Sequence, residues 1–138
     1  MSNRARMSGD ALRFALLPLA GRVALVSEFL IAANGKITGW SGQADYMAGH
    51  GMHFVTPLLA AALAIEVVGS FMIIVGFYAR SAAAVMAAYL AIVSVALHDF
   101  WNRAGGDPTQ FFKNLGMIGG LLLLAAYGPG HWAVKPDR

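Results

Sequence analysis

Four apolar runs, each long enough to cross a bilayer and separated by short polar stretches, leave this 138-residue chain few ways to fold. A hydrocarbon core about 30 Å thick needs roughly 20 apolar residues in a helix, and residues 14–36, 56–78, 81–98 and 111–127 meet that requirement. Inside lipid every backbone amide must find its partner within the chain, which restricts each run to a helix. Composition agrees: 58% of the residues are apolar and 12% charged, where about 25% charged is usual in soluble domains. A chain this small has too little interior to hide that much apolar surface from water. The expectation is an all-α, membrane-spanning four-helix bundle in contact with lipid, with residues 1–138 forming one domain.

The links set the topology. Only Ala79 and Arg80 separate the second and third runs, so these are antiparallel neighbours. Residues 37–55, with Gly39, Gly42, Gly49, Gly51 and Trp40, and residues 99–110, with Gly105, Gly106 and Pro108, read as loops. Arg4 and Arg6 precede the first run as in a secretion signal, but Arg22 and Glu28 interrupt it, and it reads as a retained span. Arg4, Arg6, Arg13, Arg80, Lys135 and Arg138 fall on one side, against Lys36, Arg103 and Lys113 on the other. By the positive-inside rule both termini are cytoplasmic. The two longer links then share the outer face, where Trp40, Tyr46, Phe100, Trp101, Phe111 and Phe112 form an aromatic belt.

Several chemistries are excluded early. With no cysteine, disulfides, thiolate metal sites and iron–sulfur centres are out. The basic residues are scattered rather than striped, so no nucleic-acid partner is expected. Haem bridging two helices wants facing histidines within spans, but His50, His53 and His131 lie outside them and leave His98 alone. His50 and His53 read as solvated loop histidines, and no metal site is expected.

Small residues at helical spacing mark helix contacts in lipid. Ala84, Ala87, Ala91, Ser94 and His98 share one sector of the third run, and Lys113, Gly116, Gly120, Leu124 and Tyr127 share one of the fourth. These stripes point His98 and Lys113 inward at the outer edge, where with Lys36, Asp99 and Asn114 they can converge on one mouth.

Arg22, Glu28 and Glu66 lie within spans. At about 3 kcal/mol per charge at mid-bilayer, three unpaired groups would cost roughly 9 kcal/mol. Arg22 is near enough to the cytoplasmic boundary to snorkel to phosphate. Glu66 shares its face with Gly69 and Ser70, which leaves room for an incoming group and offers one hydroxyl. With no basic residue at their own depth, one or both glutamates are expected to favour the neutral acid, a proton-accepting arrangement. The bland alternative makes Glu66 interhelical glue, bonded to a neighbouring helix or to Arg22.

Arg22, residues 35–39 (Gly-Lys-Ile-Thr-Gly), Tyr46-Met47, Glu66 with Gly69, Gly76 with Arg80, His98, residues 111–115 (Phe-Phe-Lys-Asn-Leu), residues 119–123 (Gly-Gly-Leu-Leu-Leu) and Gly128-Pro129-Gly130 stand in an order that resembles the DoxX family. The resemblance implies a four-span protein of the bacterial inner membrane. The family takes its name from a membrane subunit of thiosulfate:quinone oxidoreductase, and other members are associated with oxidative-stress or thiol-redox partners. Its polar positions fall here on Arg22, Lys36, Glu66, Arg80, His98, Lys113 and Asn114, whereas Glu28 departs from the pattern. Without cysteine, any sulfur chemistry belongs to a partner.

The resulting expectation is an integral membrane subunit of a quinone-linked oxidoreductase or redox-stress complex, with a polar intramembrane pocket open to the periplasmic side. Glu66 and His98 are the candidate catalytic residues, with Lys36, His98, Lys113, Asn114 and Arg22 holding a quinone. A partner redox subunit or a homo-oligomer is implied. Two alternatives stand beside it: a non-catalytic accessory subunit whose Glu28 pairs with another protein, and a transporter of small solutes or protons.

Overall fold

The computed structural model describes residues 2–102 and 108–135, with side chains described from residue 9 onward. Arg4, Arg6, Arg103 and Arg138 of the charge balance, and Gly105 and Gly106 of the third link, lie outside those described side chains. Five helices follow in order: α1 (Ser2–Thr38), α2 (Trp40–Gly49), α3 (Val55–Val75), α4 (Ala79–Leu97) and α5 (Pro108–Tyr127). Four of them are long and apolar enough to span a membrane, over Gly9–Thr38, Val55–Val75, Ala79–Leu97 and Pro108–Tyr127. The sequence expectation of an all-α bundle with four spans therefore holds.

Helix ends follow local chemistry. Proline opens α5 at Pro108, where the missing amide hydrogen costs nothing. Gly76 ends α3 in a left-handed conformation, φ 72°, and its amide and that of Phe77 turn back to the carbonyls of Ile73 and Met72. A side chain at Gly76 would also strike Ala133, at 2.5 Å from its Cβ. The chain after α5 folds back here, with Val134 and Lys135 donating to the carbonyls of Val75 and Gly76.

The spans run antiparallel, so the α3–α4 turn and the tail meet at one end, and α2 with the start of α5 at the other. Val26, Phe29, Ile73, Met86, Leu90 and Leu121 form the core. Helices α4 and α5 pack most extensively, α1 lies along α3, and α1 touches α5 only sparsely. Most large apolar side chains outside the core, such as Phe71, Ile92 and Leu123, are exposed on the outer surface, as a lipid-facing bundle requires.

Two expectations are corrected. The glycine-rich link 37–55 contains α2, which packs on α3 and α1 and buries Met47; its short apolar face needed a tertiary partner to become visible. The contact stripes hold only in part, at Ala87, Ser94, Gly120 and Leu124. On α4 the buried set is Ala79, Ala82, Ala83, Met86, Ala87, Leu90 and Ser94, while Ala84 is exposed. On α5, Asn114 and Leu121 are buried, whereas Gly116 faces open space and Tyr127 is 85% exposed. The polar bond between Asn114 and Ser94 and the large Leu121 decide which face of α5 turns inward. At the start of α5, Phe100, Trp101, Phe111 and Phe112 pack edge to face, part of the expected aromatic belt.

Candidate functional site

A cavity of about 500 Å³ lies at the α2 end of the bundle, walled by α1, α3, α4 and α5 and covered by α2. Ala61, Ala62, Ile65 and Leu90 give it an apolar wall, and Glu66, Lys36 and Tyr89 bring polar groups into it. Glu66 stands eleven residues into α3, about 16 Å from the helix start, and is buried. Its neighbours explain how a carboxylate survives there. The Lys36 ammonium donates to both carboxylate oxygens, at 2.8 Å and 3.0 Å, and the Tyr89 hydroxyl donates to Oε1 at 2.6 Å. Because Lys36 has a long flexible stem, it reaches down from near the end of α1 and places its charge at the depth of the acid.

That contact overturns the expectation of an acid without a base at its own depth. Glu66 is held as the carboxylate member of an ion pair braced by a phenol. Side-chain exposure of 13% for Lys36 and 3% for Glu66 makes the pair a buried one, and loss of either partner would strand a charge in a low-dielectric interior. Ser70, expected as the hydroxyl partner, is buried with its Oγ unbonded. The space beside Gly69 is taken by Met86, whose Sδ would lie 2.5 Å from an added Cβ.

Around the mouth, His98 caps α4 and lines the cavity with Gln110 and Asn114. Burial pushes the His98 imidazole below its ordinary value of 6.5, the nearby Lys113 ammonium and the His50 side chain act in the same direction, and Asp99 opposes them. The ring is therefore a neutral donor or acceptor at neutral pH. Helix α2 is latched over this region by the Tyr46 hydroxyl, which donates to the Leu97 carbonyl at 2.8 Å, and the His50 ring lies against Tyr46 with centroids 4.2 Å apart.

Asn114 spends part of its amide on structure: its Nδ2 donates to Ser94 Oγ at 3.0 Å, and Ser94 donates to the Leu90 carbonyl at 2.6 Å. Gln110 Nε2 donates to Asn114 Oδ1 at 3.3 Å. Lys113 is not among the lining groups; it donates to Glu28, which lines the cavity edge. Glu28, which the accessory-subunit alternative pairs with another protein, thus finds a partner within the chain.

Arg22 is placed at the other end of the bundle. Its guanidinium donates to the carbonyls of Ile73 at 3.1 Å, Ile74 at 2.9 Å and Trp132, and the residue is only 2% exposed. It caps the C-terminus of α3, where orphan carbonyls and the negative end of the helix dipole favour a cation. It neither snorkels to phosphate nor joins Glu66. Of the sequence candidates, the structure thus gathers Glu66, Lys36, His98 and Asn114 at one cavity, sets Lys113 at its edge and separates Arg22.

Tyr89 and Gln110 escaped the sequence reading. A signal existed for Tyr89, the one tyrosine well inside a span, where a hydroxyl in hydrocarbon needs a partner.

A family model described as DoxX matches residues 17–99, which covers most of α1 through the His98 cap of α4. The chain is 35% identical over 129 residues to Inner membrane protein YphA of Escherichia coli (strain K12), with 89% of each chain covered. It is 33% identical over 117 residues to Inner membrane protein YqjF of the same organism, covering 84% of this chain and 87% of that one. Surfeit locus protein 4 homolog of Schizosaccharomyces pombe is 30% identical over 128 residues, covering 87% of this chain but 37% of that one. No solved structure matches the chain.

Proposed function

The chain belongs to the DoxX family and is a multi-pass inner membrane protein, and from that premise we propose that its α2-end cavity binds a lipid-soluble quinone on behalf of a redox complex. One observation carries the reading: a largely apolar chamber of about 500 Å³ with an acid, an ammonium and a phenol joined on one side of it. A quinone ring needs apolar walls, hydrogen-bond donors for its carbonyl oxygens and a route for protons. The lining residues supply each. Lys36 carries three N–H donors and engages Glu66 with two contacts; His98 and Gln110 add donors nearer the mouth. Glu66 can exchange a proton with Lys36, Tyr89 or a bound group.

When bound, a quinone supplies two-electron acceptance coupled to two protons. This chain's own residues bind and orient the ring, exclude water through the apolar wall and hold exchangeable protons at Lys36 and Tyr89, with the Glu66 carboxylate as their acceptor. Having no cysteine, it receives electrons from a partner redox subunit. The basic-residue balance supports cytoplasmic termini and a cavity that opens toward the periplasmic side. Satisfaction of Glu28 by Lys113 removes the reason to require a second protein as its counter-charge, which favours a ligand site over a purely accessory role.

Binding of decylubiquinone to the chain in lipid nanodiscs tests the proposal. The expected result is saturable binding, lost in Glu66→Gln and Lys36→Met and kept in Arg22→Lys. Partition of the probe that never saturates and is the same in all four proteins would overturn it.

A further inference from the structure

One wall of the cavity is the seam between α1 and α5. These adjacent spans meet sparsely, and one close contact sets Leu25 against Gly120, where an added Cβ would lie 3.0 Å from Leu25 Cδ1. Toward the α2 end the seam is crossed by the ion pair from Lys113 of α5 to Glu28 of α1. Glu28, Ile31 and Gly35 from α1 and Gln110, Asn114 and Met117 from α5 all line the cavity. Ile31 does so while 66% exposed, so the chamber reaches the lipid-facing surface beside the ion pair, as it also does at Ile92 of α4, 67% exposed.

We infer that the α1–α5 seam is a lateral portal through which a bilayer-borne, apolar-tailed ligand passes into the cavity, with Glu28–Lys113 as its latch. The inference rests on the cavity being a ligand site, as proposed above, but not on that ligand being a quinone. In hydrocarbon, separating the two charges is unfavourable, which keeps the seam shut. The pair is nevertheless half exposed, at 38% and 40% for the two side chains, so water or a polar headgroup can replace either partner during passage. Contrast the Lys36–Glu66 pair, whose burial leaves little room for such exchange. The ligand class follows from the route. A molecule that arrives sideways between helices partitions into lipid first, and its tail can remain in the seam while its polar head faces Glu66.

The chain has no native cysteine, so one introduced thiol reports without background. With Ala32→Cys in the cavity wall, the protein in nanodiscs is treated either with N-dodecylmaleimide, which stays in the bilayer, or with a small cationic thiosulfonate, which stays in water. Adding Glu28→Gln is expected to speed the dodecylmaleimide reaction about fivefold, the scale set by loss of one accessible ion pair, and to leave the thiosulfonate rate unchanged. Exchanging the charges, with Glu28→Lys and Lys113→Glu together, should restore the slow rate. Equal dodecylmaleimide rates with and without Glu28→Gln, or an equal acceleration of both reagents, would overturn the portal. Neither reagent is a quinone, so this test can fail while decylubiquinone still binds, and can succeed when it does not.

Discussion

The two ends of the bundle satisfy buried charge in opposite ways. At the end shared by the α3–α4 turn and the tail, cations bind backbone: Arg22 holds the carbonyls of Ile73, Ile74 and Trp132, and Arg80 holds those of Ala125 and Ala126 at 2.8 Å and 3.0 Å. Each caps the C-terminus of a helix, where carbonyls have no partner in the helix itself. At the α2 end the cations bind side chains, Lys36 to Glu66 and Lys113 to Glu28, and a chamber lies between them. A backbone carbonyl does not titrate and moves only with its helix. A carboxylate can gain a proton, turn or change partner. Arginine on carbonyls is therefore a closure, and lysine on glutamate is a site that can respond to a ligand.

The sharpest way to break this contrast is to remove the acid of the α2 end. Glu66→Ala strands the Lys36 ammonium and the Tyr89 hydroxyl and should cost on the order of 3–5 kcal/mol, read by denaturation of the reconstituted protein. Lys36→Met combined with Glu66→Leu should recover most of that stability and none of the quinone binding, which separates folding from function. Next in size, Arg22→Met takes the guanidinium from three carbonyls, of which that of Ile73 keeps the Gly76 amide, and should lose roughly 3 kcal/mol with no change in the affinity for decylubiquinone. If that affinity falls as far as the stability does, the two ends are not independent.

Tyr89→Phe removes one bond to a carboxylate. A loss of about 2 kcal/mol is expected in stability, with the larger functional effect on any proton-linked step; its denaturation midpoint against that of the parent gives the first figure. The smallest effect concerns His98. Well above pH 6.5 the ring is neutral in the folded and unfolded chain alike and contributes nothing to pH dependence. As pH falls below 6.5, the unfolded chain takes up its proton first, because burial holds the folded imidazole lower, and the folded state loses stability until the folded ring also protonates. His98→Gln should remove that segment of the pH profile. Lys113→Gln should raise the His98 titration midpoint seen by NMR without restoring the ordinary value, since burial is the larger cause.

Sequence made the spans legible because lipid allows one answer to a run of apolar residues. It also located Glu66, Lys36, His98 and Asn114, since polar groups inside or at the edge of such runs are conspicuous. What it missed depended on geometry between helices. The reach of Lys36 down to Glu66 is a property of a flexible side chain, invisible to residue spacing along α1. On α5 the glycine spacing marks the contact at Gly120 but not the open space at Gly116, and the bond from Asn114 to Ser94 is not legible in spacing at all. Arg22 reads as a snorkelling cation from its depth alone, and the carbonyls at the end of α3 that hold it are visible only in the fold.

Photolabelling with an azidoquinone in nanodiscs, followed by peptide mapping, compares the two ends in one experiment. Adducts should concentrate on residues 58–66 and 89–98, around Glu66, Tyr89 and His98, and should disappear in Glu66→Gln. Adducts gathered instead around Arg22 and Trp132, or spread evenly along the lipid-facing surface and indifferent to Glu66→Gln, would contradict a quinone site between Lys36, Glu66 and Tyr89.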